Sequence, residues 1–307
     1  MGSECIAATL AADPATRRAQ QDLRALRKSV DKSLGRLFPH RPGETALEQS
    51  LRYAVLTPGK RIRPILTVLA SWELGMDDLR ALDPGCALEL VHAASLVLDD
   101  LPCMDDASLR RGEPATHRAY GEDVAVLASI TLLSRAFAAV AAAPGLSAEQ
   151  RTRLVAILAQ AVGSEGLAGG QFRDLRGGDH RVIDGLSEAN HRKTGALFVA
   201  AIEMAGVIAD ASEPRIEKLR GFATELGQAF QILDDLDDGV GGRDGLGEDG
   251  DKLTVLSFLG RDGARHHLDR HIKQARAALR PGGELATFVG AIFADTAGNG
   301  PPMQALV

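Results

Sequence analysis

Cysteine, aromatic residues and long apolar runs are all scarce in this 307-residue chain. The three cysteines, Cys5, Cys86 and Cys103, are irregularly spaced, which argues against a disulfide framework or a zinc site and fits a reducing cytoplasm. No run approaches the roughly 18 apolar residues of a membrane span. The first residues also lack the apolar core of a signal peptide. We therefore expect a cytoplasmic protein with no integral membrane contact.

Positive charge is also in deficit, because the formal net charge is -6. An acidic chain is a poor nucleic-acid binder, since that partner requires clustered positive charge. Anionic small molecules remain possible ligands, because a basic pocket or a bound metal reverses the sign of the charge locally.

What the chain does contain is a helical core composition. Hydrophobic residues make up 45% but aromatic residues only 4%, so the core must consist of Leu, Ala, Val and Ile. Apolar residues recur at helical spacing, and Pro-Gly pairs mark the joints. The predicted helices cover roughly residues 15–36, 44–56, 60–75, 81–101, 121–142, 148–169, 187–209, 213–238 and 254–280. We predict a single all-α domain over residues 1–307, with a polar loop at 239–251 and a weakly structured end from Ala297.

The first acidic motif is "DDLPCMDD", which follows a strongly apolar predicted helix. Negative charge is disfavoured at a helix C-terminus, so a cation should compensate it. Asp99 and Asp105 are about 240° apart on a straight helix, but Pro102 must bend or end that helix. A bend lets both carboxylates converge on Mg²⁺, which takes one or two carboxylates plus substrate phosphates. An ordinary acidic cap or turn is the alternative.

The second acidic motif is "QILDDLDDG", from Gln231 to Gly239. Asp234 and Asp238 are four residues apart, so they lie on one helix face and repel each other unless a cation bridges them. A solvated helix face is the alternative for this motif alone. Two such motifs, each at the end of an apolar helix, favour a shared metal site.

Basic residues that could bind a diphosphate stand at four places along the chain. Lys60, Arg61 and Arg63 stand at a predicted helix start, where an anion would be favoured. The remaining basic residues follow the first acidic motif, lie in "HRKTGALF", or follow the second acidic motif: Arg110, Arg111, Lys193 and Lys252. Any one of them alone is an ordinary surface charge. Together with the acidic motifs they indicate two bound diphosphates and a bridging metal.

These motifs resemble those of the trans-prenyl diphosphate synthases, also called polyprenyl synthetases. The likeness covers roughly Leu51 to Gly260 and rests on "GKRIRP", "DDLPCMDDASLRRGEPATH", "GGQFRDL", "KTG" and "QILDDLDD". The segments "HAASLVLDDLPCMDD" and "GQFRDL" most resemble bacterial geranylgeranyl diphosphate synthases of carotenoid gene clusters. The resemblance implies an isoprenoid synthase-type bundle of long antiparallel helices around a central cavity, usually in a homodimer.

The resemblance also implies the roles of individual residues. Metal ligands for about three Mg²⁺ ions would be Asp99, Asp105, Asp234 and Asp238, with Asp100 and Asp235 acting partly through bound water. Isopentenyl diphosphate would be held by Lys60, Arg63, His92 and Arg111. The allylic diphosphate (dimethylallyl, geranyl or farnesyl) and its developing cation would face Arg110, Lys193, Thr194, Gln231 and Lys252. Asp251 replaces the family's glycine before Lys252, which weakens the prediction for that lysine.

Chain length is predicted from the residues one helical turn before Asp99. Ala94 and Ser95 are both small there, and one turn of about 5.4 Å is close to one isoprene unit. We expect a tunnel that passes fifteen carbons and closes near twenty, with Phe137 as a deeper candidate limit. The alternatives are a farnesyl diphosphate synthase, a type I terpene cyclase and a non-catalytic synthase subunit. Both aspartate motifs are intact, which disfavours the last two.

Overall fold

A computed structural model describes residues 14–176, 195–241 and 255–293 of the chain. The helices in these ranges are α1 Pro14–Leu37, α2 Ala46–Leu56, α3 Ile62–Glu73, α4 Leu82–Asp99, α5 Thr116–Tyr120, α6 Glu122–Ala141, α7 Ala148–Val162, α8 Leu167–Arg176, α9 Ala196–Ile208, α10 Glu213–Gly241, α11 Val255–Ala277 and α12 Glu284–Ile292. The strands are β1 Leu109–Arg110 and β2 Glu113–Pro114. The predicted all-α class is confirmed.

Local sequence signals account for several helix boundaries. The Thr45 side chain caps α2 and Glu48 completes a capping box, while Ser147 and Gln150 form the same motif at α7. Each box satisfies two backbone N–H groups that the first helical turn leaves unpaired. These boundaries therefore follow from a few residues of sequence.

One predicted helix, 148–169, was wrong because it is divided in two. The helix α7 ends at Val162, and α8 begins at Leu167. The turn between them is tight: Gly166 N–H donates to the Gly163 carbonyl at 3.0 Å, and Gly169 N–H to the same carbonyl at 3.3 Å. A side chain at Gly166 or Gly169 would clash with the backbone of the preceding turn. Glycine is required here for lack of space, which helical periodicity does not reveal.

The core lies where α3, α4 and α9 pack together, with α6 against α4 and α11 against α10. Its largest fully buried side chains include Phe198, Phe222, Leu66 and Leu88. The helices α3 and α4 approach closely at Gly85, where an added Cβ would lie 2.8 Å from the Pro64 Cα atom. This close approach places the first turn of α3 beside the first turn of α4.

A small hairpin connects α4 to α5 and was not predicted. Leu109 pairs with Pro114, and Arg110 pairs with Glu113. The two residues of its turn, Arg111 and Gly112, have φ values of 56° and 82°. Positive φ at both positions is typical of a type I′ hairpin turn. Two-residue strands are too short to show an alternating sequence pattern, and α5 and α12 were also missed.

The helix α6 is the one helix within the described ranges that is long and apolar enough to cross a membrane. A single helix of this kind is weak evidence for a membrane span, because core helices of soluble proteins have the same length and composition. A third of its most apolar window is buried, through contacts with α2, α4 and α7. The exposed part includes Val126, Leu127 and Ile130.

Candidate active site

The first acidic motif is built by a turn that follows the end of α4. The helix ends at Asp99, and the chain then reverses, so that Asp105 N–H donates to the Asp99 carbonyl at 2.9 Å. Pro102 lies in this turn and outside the helix, as its ring requires. Beneath the turn, Leu101 packs with Val97 in a small apolar cluster. The turn therefore brings residues at both ends of the motif to one place.

The four aspartates of this motif have different surroundings. Asp99 and Asp100 are buried, Asp105 is half-buried and Asp106 is exposed. Asp106 pairs with Arg118 at 2.9 Å, on the outside of the turn. The residue type is the same at all four positions, but only Asp99 and Asp100 are buried.

Arg110 lies on the buried carboxylate of Asp100. Its Nε donates to Asp100 Oδ1 at 3.0 Å, and its Nη2 donates to the same oxygen. Burial acts to lower the pKa of Arg110, but its hydrogen bonds with Asp100 and the nearby charges of Asp99 and Asp105 raise it overall. The pair holds Arg110 at the mouth of the motif, beside the predicted allylic diphosphate site.

The basic loop before α3 faces the second acidic motif. Lys60 Nζ lies 4.0 Å from Asp234 Oδ1 and 5.0 Å from the centre of the Phe230 ring. Arg63 is buried, with its guanidinium carbon 5.3 Å from the centre of the Phe198 ring. The two aromatic rings come from α9 and α10 and lie 5.8 Å apart. They form an apolar floor beneath the cations, and sequence analysis had not assigned them this role.

Among the described residues, no carboxylate forms an ion pair with Arg63. Burial lowers its pKa, Glu89 and Asp234 raise it, and Arg111 lowers it. Its Nε is buried, and no acceptor for it is found among the described residues. A buried donor without a partner is costly, so this position is suited to an anionic ligand.

His92 and Arg111 complete the basic group. Burial, followed by the charges of Arg63, Arg111, Arg110 and Arg61, holds the pKa of His92 well below its ordinary value of 6.5. His92 is therefore neutral at pH 7 and serves as a hydrogen-bonding group instead of a cation. The four predicted ligands of isopentenyl diphosphate thus share one electrostatic environment.

The second acidic motif lies on α10, which continues without a break to Gly241. Asp234 and Asp235 are half-buried, and Gln231 Nε2 donates to Asp235 Oδ1 at 2.9 Å. Asp238 lies on the same helix, and its side chain is outside the described residues, as are Lys193, Thr194 and Lys252. The described part of the motif faces the Lys60 loop.

Ala94 and Ser95 lie on α4 below the first motif. Ala94 is fully buried in the main core cluster, while Ser95 is half-buried and its hydroxyl donates to the His92 carbonyl at 2.9 Å. Phe137 of α6 packs against the same cluster. Space near Ala94 is therefore limited by core packing, so a larger side chain there must displace something.

The donor set is suited to Mg²⁺. Within the described ranges, no three His, Cys, Asp or Glu side chains are close enough to hold a metal by themselves. Mg²⁺ does not need such a cage, because it is usually held by one or two carboxylates and the substrate's phosphates. The carboxylates near Arg110 and the carboxylate of Asp234 near Lys60 fit that requirement.

Comparison with known proteins gives consistent matches. The family model for polyprenyl synthetase matches residues 44–256. The chain is 43% identical over 289 residues to a geranylgeranyl diphosphate synthase of Pantoea ananas, covering 91% of this chain and 94% of that one. It is 42% identical over 280 residues to a geranylgeranyl diphosphate synthase of Pseudescherichia vulneris, with coverage of 88% and 90%. A crystal structure of an FPP/GFPP synthase from Zymomonas mobilis superposes with a TM-score of 0.78 at 30% identity, covering 89% and 98%.

Proposed function

This chain belongs to the polyprenyl synthetase family, and from that premise we propose that it is a geranylgeranyl diphosphate synthase. It would condense isopentenyl diphosphate head-to-tail with dimethylallyl, geranyl or farnesyl diphosphate. The product would be the twenty-carbon geranylgeranyl diphosphate, used for carotenoids or other isoprenoids. Both relatives named above at 42–43% identity carry this activity in their names.

One observation carries the proposal: both acidic motifs act on a single group of basic residues. Asp234 of α10 lies 4.0 Å from Lys60, and its charge opposes the burial that lowers the pKa of both Arg63 and Arg111. Asp100 raises the pKa of Arg110, the residue next to Arg111, and Asp99 at the end of α4 and Asp105 in the following turn add to this effect. Two anionic groups and several cations within one site are suited to binding two diphosphates through metal ions.

The reaction breaks the carbon–oxygen bond of the allylic diphosphate, and the electron pair leaves with the diphosphate. Arg110, near the acidic motif, would stabilise the charge that develops on this leaving group. Mg²⁺ held by Asp99, Asp105, Asp234 and Asp238 would supply further electrostatic stabilisation of the same charge.

The allylic cation is then attacked by the double bond of isopentenyl diphosphate. Lys60, Arg63 and Arg111 would hold the diphosphate of this second substrate, with neutral His92 as a hydrogen-bonding neighbour. The new carbon–carbon bond leaves a cation that loses a proton to a diphosphate oxygen. The rings of Phe198 and Phe230 line the floor of the basic group and would help to exclude water.

Incubation of the purified protein with isopentenyl diphosphate, each allylic starter in turn and Mg²⁺ tests the proposal. Chromatography of the dephosphorylated alcohols should show geranylgeraniol from every starter, and chelation of the metal should abolish the product. Farnesol as the final product would instead identify a farnesyl diphosphate synthase. A cyclic hydrocarbon from geranylgeranyl diphosphate alone would identify a terpene cyclase, and no product at all would indicate a non-catalytic subunit.

A homodimer is part of the proposal and is supported by the surface of α6. Val126, Leu127 and Ile130 are 39%, 50% and 59% exposed on one stripe. Leu56 of the neighbouring α2 adds to this apolar surface. Contiguous exposed apolar surface is typical of an interface, and a second copy would cover it without any membrane. The protein would then be cytoplasmic.

Sedimentation of the purified protein tests the dimer. We expect a mass near twice 32.4 kDa, and Ile130→Asp should shift it towards the monomer, because a buried unpaired charge is costly. Leu79→Asp is the control, since Leu79 is also exposed, at 45%, but lies outside the stripe. A dimer that resists Ile130→Asp would place the interface elsewhere.

A further inference from the structure

The loop that carries Lys60 is held by an unusual set of backbone contacts. Three consecutive carbonyl groups each accept a hydrogen bond from a different arginine. Thr57 O accepts from Arg61 Nη2 at 3.1 Å, Pro58 O from Arg111 Nη1 at 3.2 Å and Gly59 O from Arg27 Nη2 at 2.8 Å. These arginines come from α1, from the loop itself and from the hairpin, so residues 57–59 are fixed from several sides.

Arg61 differs from its neighbours Lys60 and Arg63 because its guanidinium is already occupied by protein groups. Besides Thr57 O, it donates to Asp31 Oδ1 at 3.0 Å and to Glu89 Oε1 at 3.2 Å. It is only 5% exposed, and its φ of 48° is uncommon for a residue other than glycine. Such a backbone conformation persists only where the surroundings enforce it.

Glu89 is the buried partner of this arrangement. It lies on α4 and is 3% exposed, and within the described ranges nothing donates to its Oε2 atom. Its charge also acts on Arg63 and Arg111, the two arginines that face the proposed isopentenyl diphosphate site. Burying a carboxylate costs free energy unless a charged partner compensates it. Glu89 is compensated by Arg61, and the pairing fixes the position of that arginine.

We propose that Arg61 and Glu89 are positioning residues: together they lock the loop at residues 57–61, and thereby preform the isopentenyl diphosphate site without touching the substrate. The pair deepens the proposed function and rests on it. Arg61, with its φ of 48°, sets the direction of the chain at the start of α3, where Lys60 and Arg63 lie over the neighbouring rings of Phe230 and Phe198. Arg111, bound to the Pro58 carbonyl, takes its position from the same loop. The allylic side of the site depends on other elements.

Glu89→Gln tests the proposal by the direction of its effect. The substitution removes a negative charge near the diphosphate, which by charge alone would strengthen binding and lower the KM for isopentenyl diphosphate. If Glu89 acts by positioning Arg61, that KM should instead rise about tenfold while the KM for farnesyl diphosphate stays within about twofold. Arg61→Lys should give the same separation, because one ammonium group cannot replace a three-way fork.

Glu203→Gln is the matched control, since Glu203 accepts from Arg220 Nε at 3.0 Å in a pair between α9 and α10 remote from the loop. It should leave both KM values unchanged. The proposal would be overturned if the KM for isopentenyl diphosphate fell or stayed unchanged in Glu89→Gln and Arg61→Lys. It would also be overturned if the KM values for both substrates rose equally. Calorimetric titration with isopentenyl diphosphate measures the same effect without turnover, so a wild-type protein that binds but makes no prenyl product would count against the proposed function alone.

Discussion

The two acidic motifs have similar sequences but different backbones. The first follows the end of α4, where the chain reverses and the Asp105 amide returns to the Asp99 carbonyl. The second lies within α10, which continues to Gly241. In the first motif the spacing of six residues requires a turn, whereas in the second the spacing of four already places Asp234 and Asp238 on one helix face. The spacing of two aspartates in the sequence therefore shows whether their side chains converge only when the local backbone conformation is also known.

The motifs also differ in how their charge is balanced inside the protein. Buried Asp100 is paired with Arg110, close to it in the chain. Half-exposed Asp234 lies opposite Lys60, which is distant in sequence and contributed by another element. The first motif is thus stabilised locally, while the second depends on the packing of α3 against its neighbours. Substitutions in the two motifs should therefore have different consequences.

The largest effect is expected from Asp99 and Asp105, the two predicted metal ligands of the first motif. Asp99→Asn and Asp105→Asn should each lower kcat by about 10²–10³-fold, because each removes electrostatic stabilisation of the leaving group. Asp106→Asn is the control, since Asp106 is exposed and asparagine tolerates its φ of 49°. Steady-state kinetics with farnesyl diphosphate as the allylic substrate measures kcat for the three variants. Equal losses in all three variants would mean that burial does not distinguish these aspartates.

A smaller loss is expected from the second motif. Asp234→Asn should lower kcat by about 10–10²-fold, because Asp234 is half-exposed and Asp235 and Asp238 remain on the same helix. The exposed Asp269 of α11 provides the control substitution, Asp269→Asn, with near wild-type rates. A loss for Asp234→Asn as large as that for Asp99→Asn would remove the proposed difference between the motifs.

A third comparison between α4 and α10 concerns product length and the residues about one helical turn before each acidic motif. Ala94 lies five residues before Asp99, and Ala229 lies five residues before Asp234; both are fully buried. Ala94→Phe should shorten the product towards fifteen carbons, whereas Ala229→Phe should leave the product unchanged. Both variants should lose about 1–3 kcal/mol of stability from overpacking. Chromatography of the alcohols reports the product, and an unshifted pattern in Ala94→Phe would move the floor to deeper residues such as Phe137.

The smallest effect concerns His92 and the pH dependence of stability. Its pKa in the folded protein lies well below 6.5, so below pH 6.5 the unfolded chain binds a proton that the folded protein refuses. Stability is therefore lost as pH falls, at up to about 1.4 kcal/mol per pH unit. Between pH 7.5 and 5.5, urea unfolding of the wild type should show about 1 kcal/mol more loss than His92→Gln. The exposed His266 gives the control, His266→Gln, which should behave as the wild type. Identical pH profiles for wild type and His92→Gln would show that His92 carries no such linkage.

The helical class and the main helices could be predicted from the sequence, but the contacts within the site could not. The helices that carry the acidic motifs, and the interruption at Pro102, followed from periodicity and from the geometry of proline. The pairing of Arg110 with Asp100 was not predicted, because it depends on a hairpin whose two-residue strands leave no pattern. Glu89 did leave a signal, a single acid in the apolar stretch before His92, but its partners could not be inferred from it. The roles of all the site residues stay predictions, and Lys193, Thr194 and Lys252 also lie outside the described residues.

By itself, the sequence determined the helical class and the turn at Pro102, and it indicated candidate residues for holding metal and diphosphate. These features depend on dihedral preferences and side-chain chemistry within a few residues. Only the tertiary structure decided which charges share a site: that Asp234 faces Lys60, that Arg63 lies over Phe198, and that Arg61 belongs to Asp31 and Glu89. Those contacts join residues tens to hundreds of positions apart, so they depend on how the helices pack, and the buried pair of Arg61 and Glu89 shows that a charge taken out of water needs a partner.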